Sequence, residues 1–168
     1  MLGNIQNART REQIDHLQRT VGMGKCPFCP DNGFDPEVNK VIIAGEYWQG
    51  WQNPFPYPHN QHHFVFATLE HIENVADLTP AMWEEWGRLN QELIERFSIP
   101  GGGITMRFGL NQYNAGTLSH CHSHIQVPDL TGPSFQVFAK SPLPLMDQLA
   151  PCKGANHLEL LARAFLAT

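Results

Sequence analysis

Three histidines stand at alternate positions in the stretch Ser119-His120-Cys121-His122-Ser123-His124-Ile125-Gln126-Val127-Pro128. In an extended chain the side chains alternate between faces, so residues 120, 122 and 124 are expected to point the same way. Stacked imidazoles make a poor core, because each ring carries a donor and an acceptor that need partners when buried. The run therefore asks for a metal, a phosphate or a proton. From the residues alone, three readings stand. One is a surface strand rich in histidine. Another is a metal-binding triplet, which needs carboxylates or more histidines nearby. The third is catalysis, in which a neutral imidazole acts as nucleophile while a neighbour on the same face orients it or shuttles its proton.

A second pattern with chemical content is Cys26-Pro27-Phe28-Cys29. Such a pair is redox-active where the first thiolate sits at a helix N-terminus. Here the second cysteine precedes a proline and a Gly/Asp turn, which argues against a helix starting there. Cys-x-x-Cys is also half of a tetrahedral zinc site, provided two more ligands exist. The plain alternative is a pair of reduced thiols. Cys121 and Cys152 have no partner at ligand spacing.

These residues need elements to hold them. The run "RTREQIDHLQRTV" carries Ile14, Leu17 and Val21 at helical spacing and predicts a short helix over about 9–21. A loop punctuated by Gly and Pro follows and contains the cysteine pair. "KVIIAGEYWQGWQ" predicts one or two strands, "NPFPYPHNQ" interrupts them, and "HHFVFAT" predicts another. The clearest element is a helix over about 80–97. Thr79 is its N-cap, Pro80 opens it, and Met82, Trp86, Leu89, Leu93 and Phe97 form its buried stripe. "ITMRFGLNQ", "HSHIQVPDL" and "SFQVFAK" predict further strands, and "NHLELLARAFL" a closing helix. Strands in hairpin order with one long helix predict an α+β fold with an antiparallel sheet.

The chain has 168 residues, 42% hydrophobic and 16% charged, with a formal net charge of −5. That size predicts a single domain over 1–168 with a core that needs no disulfides. The negative charge and the lack of any Lys/Arg cluster argue against a nucleic-acid surface. An anionic ligand must then be held locally. The polar N-terminus shows no secretory pattern, and no apolar run is long enough to span a bilayer. With four cysteines and no signal, a cytoplasmic location is expected, with no membrane partner.

His120-x-His122-x-His124 resembles the signature of the histidine triad (HIT) superfamily of nucleotide hydrolases and transferases, and in particular its zinc-containing members. "HHFVFATLEHIENVADLTPAMWEEW" resembles the family's passage from a strand into its long helix. "NPFPYP" resembles the loop before that strand, and "CPFC" occurs near the N-terminus of many members; the likeness runs over about 26–128. It implies a HIT-like fold with shorter terminal helices. It also implies cleavage at the α-phosphate of a dinucleoside polyphosphate, a nucleoside phosphoramidate or a nucleotide sugar, through a covalent nucleotidyl-histidine.

On that resemblance His122 is the nucleophile. His124 binds a phosphate oxygen or helps protonate the leaving group, and His63 is the fourth histidine, with His62 beside it as the weaker claimant. Thr117 is the hydroxyl five residues before the nucleophile, and Ser119 is its alternative. Asn111 is the upstream amide, two residues closer to the triad than the common pattern. Asn53 is placed to hold ribose hydroxyls. A structural zinc is implied at Cys26, Cys29, His71 and His120, while the chemistry itself requires no metal. The residues between the histidines, Cys121 and Ser123, are usually apolar in the family. A homodimer through the strand and long helix, which carries Trp83 and Trp86, is also implied. Two other functions stay open: a nucleotide-binding protein without turnover, and a metal-dependent hydrolase that uses the three histidines as ligands.

Overall fold

A computed structural model describes residue 4 and residues 7–138. The expected C-terminal helix and Cys152 lie outside the described residues. A first helix, α1 (Arg11–Thr20), is N-capped by Thr10, whose hydroxyl accepts from the Gln13 amide. The cysteine loop follows. Strands β1 (Val41–Ala44), β2 (Trp48–Gln52) and β3 (Asn60–Thr68) then run as an antiparallel meander. Helix α2 (Pro80–Arg96) leads to β4 (Gly103–Arg107), the four-residue helix α3 (Asn111–Asn114) and β5 (His122–Pro128).

The five strands form one antiparallel sheet in the order β1-β2-β3-β5-β4. The histidine strand β5 is thus interior, between β3 and β4. The architecture is α+β, with an antiparallel sheet and one long helix.

Period-two alternation sorts the sheet into two faces. Trp48, Phe64, Phe66, Ile125 and Val127 point to the α2 side and pack with Met82, Leu89 and Leu93. Trp51, Val65 and Ala67 point to the other side, where Phe28 and Phe34 of the cysteine loop cover them. Burying each such large apolar side chain contributes about 1.5–3 kcal/mol. Thr79 caps α2 by accepting from the Met82 amide, and Pro80 occupies its first turn. Trp86 and Phe97 are only half-buried at the edge of the α2 core.

Glu85 departs from the expected polar face of α2. Its carboxylate is buried and accepts from the amides of Glu46 (2.7 Å), Tyr47 (2.7 Å) and Trp48 (3.0 Å) in the β1–β2 turn. A Cβ built on Gly45 would sit 2.3 Å from that carboxyl group, so glycine is required for the close approach.

Three expected strand spans are shorter. β4 ends at Arg107, and Asn111 opens α3 instead of continuing it. β5 starts at His122, so His120 lies before the strand. Residues 134–137 of "SFQVFAK" form no strand. The Gln136 side chain meets Thr105, and the Val137 carbonyl accepts from Arg107, so side-chain contacts hold this segment beside β4.

Candidate active site and Cys/His cluster

The face of the sheet away from α2 carries the titratable groups. In register, His122 lies opposite Ala67 on β3 and Arg107 on β4, and His124 opposite Val65 and Thr105. Their imidazoles meet edge to face, with ring centroids 5.1 Å apart. Both border a cavity that opens to solvent. Asn53, Tyr57, Gly116 and Thr117 line it too, with Arg9 and Arg107.

Two hydrogen-bond chains set the ring tautomers. The His122 Nδ1 lies 2.6 Å from the His120 carbonyl. A carbonyl only accepts, so Nδ1 carries the proton and Nε2 keeps its lone pair. The backbone N–H of Tyr57 donates to His63 Nδ1 at 3.1 Å, which leaves the His63 proton on Nε2. That nitrogen is 3.0 Å from His124 Nδ1, which must accept, so His124 carries its proton on Nε2. One imidazole is prepared as a nucleophile and its neighbour as a donor.

Burial holds all of these rings neutral. His122 is brought down to about 4 by burial, against the opposing pull of the His120 carbonyl. His63 falls to about 3 through burial and then the positive charges of Arg9 and Arg107. His124 lies well below the ordinary histidine value, again mainly from burial.

The remaining expected residues divide. Asn53 borders the cavity; its Oδ1 accepts from the Phe55 amide at 2.9 Å, and its Nδ2 lies 3.3 Å from His63 Nδ1, the nitrogen that accepts. Thr117 borders the cavity and anchors the N-terminal segment, its carbonyl accepting from the Asn4 amide. Ser119 and Asn111 are not on the cavity wall. They bond to each other, Asn111 Nδ2 donating to Ser119 Oγ at 3.2 Å. His62 faces the opposite side and stacks on Phe64 at 5.4 Å, leaving His63 on the cavity side.

The spacing of the triplet puts its three side chains on one strand face, but His120 is not in that stack. Its ring turns toward the cysteine loop, with Nδ1 3.4 Å from Cys26 Sγ and 3.6 Å from Cys29 Sγ. His71 Nδ1 lies 3.2 Å from Cys29 Sγ. The ligand atoms of Cys26, Cys29, His71 and His120 all fall within 4.8 Å of one another, a group that can hold a metal ion.

The donor chemistry fits zinc. Two sulfurs and two imidazole nitrogens make a tetrahedral set. The outer nitrogens are also engaged: His120 Nε2 donates to the Thr68 carbonyl at 2.9 Å, and His71 Nε2 is 3.5 Å from Glu73 Oε1. Such partners orient imidazole ligands. Without a cation, burial pushes the Cys26 thiol up and Cys29 to about 12, the reverse of an activated redox thiolate. No helix begins at the motif.

Sequence reasoning missed Arg9, Tyr57 and Arg107. Arg9 lies before the first helix and Arg107 ends a strand, so no spacing links them. The aromatic-proline loop "NPFPYP" was the available signal for Tyr57. On the sheet's other face, Ser123 Oγ accepts from Trp86 Nε1 at 2.9 Å, and Cys121 is fully buried in the α2 core. The two unusual residues between the histidines are thus packing partners of α2.

No protein-family model matches the sequence, and no curated protein does. Solved structures similar to the chain include many described as HIT family proteins. Among them, a histidine triad nucleotide-binding protein from Candida albicans is 14% identical over 74% of this chain and 90% of its own, with a TM-score of 0.47. A diadenosine triphosphate hydrolase from Plasmodium falciparum, solved in complex with Cyclomarin A, is 20% identical over 75% and 76%, with a TM-score of 0.45. A hypothetical protein from Leishmania major is 15% identical over 74% and 88%, with a TM-score of 0.49.

Proposed function

We propose that the chain is a nucleotide hydrolase or nucleotidyltransferase of the histidine-triad kind, acting at an α-phosphate through a covalent nucleotidyl-His122. The observation that carries this reading is the pair of hydrogen-bond chains that leaves a lone pair on His122 Nε2 and an N–H on His124 Nε2, on two rings whose centroids are 5.1 Å apart. A bond forms between His122 Nε2 and the α-phosphorus, and the leaving group departs with the electron pair of the broken bond. The charge that grows on the His122 ring is met by the His120 carbonyl, while His124 donates to a phosphoryl oxygen. Water then forms the new P–O bond, the P–N bond returns its electrons to His122, and one proton goes to solvent. Another acceptor in place of water would make the reaction a transfer.

In this reading Thr117, with Gly116 beside it, serves the phosphate, and Asn53 the ribose and the His63 ring. Asn111 and Ser119 shape the turn that presents Thr117. A zinc ion at Cys26, Cys29, His71 and His120 would tie the cysteine loop to the histidine strand and supply structural anchoring. A homodimer and a cytoplasmic location belong to the same proposal. Among the described residues, no helix is long and apolar enough to cross a membrane.

The test is intact-protein mass spectrometry after brief incubation with diadenosine polyphosphates, adenosine phosphoramidate and nucleotide sugars, run on wild type and His122→Ala. A nucleoside monophosphate adduct on wild type alone is expected. A folded wild type that binds nucleotide but forms neither adduct nor product would overturn the reading in favour of a binding protein. Turnover without an adduct, abolished by chelation while the fold persists, would favour a metal-dependent hydrolase.

A further inference from the structure

Among the described residues, the cavity next to His122 and His124 is lined by two guanidinium groups and by no Asp or Glu. This is unexpected in a chain of formal net charge −5. Arg107 is only 3% exposed. Its Nη2 donates to the Val137 carbonyl at 2.9 Å and to the Tyr57 hydroxyl at 3.3 Å. Its Nη1 is buried and has no acceptor among the described residues. Arg9 also lines the cavity, its guanidinium 3.7 Å above the Tyr57 ring and donating to the Phe55 and Pro56 carbonyls. Neither arginine has a carboxylate partner among the described residues. Tyr57 joins them to the catalytic groups, since its ring stacks on His63 at 5.3 Å.

A buried guanidinium without a counter-ion is costly, and one with an idle N–H more so. Buried Arg107 and the exposed Arg9 bordering one cavity make its wall electropositive, and low-dielectric walls intensify that field. An anion in the cavity supplies both the missing charge and the missing acceptor. The His122–His124 pair already accounts for one phosphoryl group. The arginines stand beside it, Arg107 directly opposite His122 in the β4–β5 register.

We propose that Arg107, with Arg9, forms a second anion subsite that selects substrates whose leaving group is itself a phosphate or polyphosphate, over those whose leaving group is uncharged. This rests on the reading of His122 as the nucleophile. Arg107 holds the second phosphate in the cavity, and Arg9 closes over it from the rim with Tyr57 as its platform. Guanidinium and phosphate pair through two parallel N–H donors, which a lysine cannot reproduce.

The test compares wild type, Arg107→Gln, Arg107→Lys and Arg9→Gln on two probes, diadenosine tetraphosphate and adenosine phosphoramidate. In Arg107→Gln the ratio of kcat/KM for tetraphosphate over phosphoramidate should fall by about tenfold to a hundredfold, the weight of a charge-assisted hydrogen bond. Arg107→Lys should recover part of that ratio. Arg9→Gln, a change at an exposed position, should lower it in the same direction even if the Arg107 variants fold poorly. An unchanged ratio in folded Arg107→Gln and in Arg9→Gln would overturn the proposal.

Calorimetric titration of inorganic tripolyphosphate into His122→Ala separates this inference from the catalytic one. Binding that is lost on adding Arg107→Gln supports the anion subsite even if no nucleotidyl adduct is ever seen. Nucleotidylation by wild type, with no tripolyphosphate binding and no change of the ratio, would remove the subsite and leave the nucleophile intact.

Discussion

At the scale of single residues, the most constrained group is His63. Its Nδ1 is spoken for by the Tyr57 amide, so its one proton must go to His124. His63→Gln should therefore leave the cavity in place but free the His124 tautomer, lowering kcat by about a hundredfold or more with a smaller change in KM. Steady-state kinetics beside a thermal melt checks this. The same residue carries a pH signature. Its folded-state value is depressed to about 3, so between roughly pH 3 and the ordinary histidine range the unfolded chain binds the extra proton. Stability should thus rise with pH through that window and flatten above it. His63→Gln should make the rise in Tm between pH 4 and 6.5 shallower, and an unaltered slope would count against a buried neutral ring.

At the scale of elements, helix α2 and the β1–β2 turn are joined by one carboxylate. Glu85→Ala would strip the acceptor from three turn amides. Each buried N–H left without a partner costs about 1–3 kcal/mol, so a loss of at least about 2 kcal/mol is expected in urea unfolding. Gly45→Ala should destabilise through the same contact, by steric conflict with that carboxyl group. Nothing in the sequence pointed to this. Glu85 flanks the apolar stripe, three residues after Met82 and four before Leu89, but a carboxylate read alone looks solvated, and only a turn 37–39 residues earlier in the chain supplies its donors. Periodicity did locate α2, its Thr79 cap and the strands around Phe64 and Ile125, because those signals are local. The His-x-His and Cys-x-x-Cys spacings were legible for the same reason. Arg9 and Arg107 were not: charged residues read alone look solvated, and only the closed sheet brings positions 9 and 107 to one cavity. Asn111 was misplaced because a strand was extended through Gly109, where φ is +69° and the chain turns into α3.

At the scale of the whole molecule, the cysteine loop covers one sheet face with Phe28 and Phe34, and the proposed zinc would anchor it there. Native mass spectrometry should find one zinc per chain, and Cys26→Ser should lose both the ion and several degrees of Tm, since structural zinc contributes folding energy directly. Retention of full Tm without zinc would show that Phe28 and Phe34 suffice to hold the loop. The proposed homodimer would use the long-helix region, where Trp83 is 40% accessible on α2. Sedimentation velocity on wild type and Trp83→Glu should show a dimer weakened by the charge.

His120 gives its ring to the cysteines and its carbonyl to His122. One residue therefore belongs to two circuits, and the two are not thermodynamically independent. Substitutions at Cys26 and at the nucleophile should fail to add in a double-mutant cycle, although their side chains serve different sites. Damage at the cysteines would be felt as a loss of aim at His122.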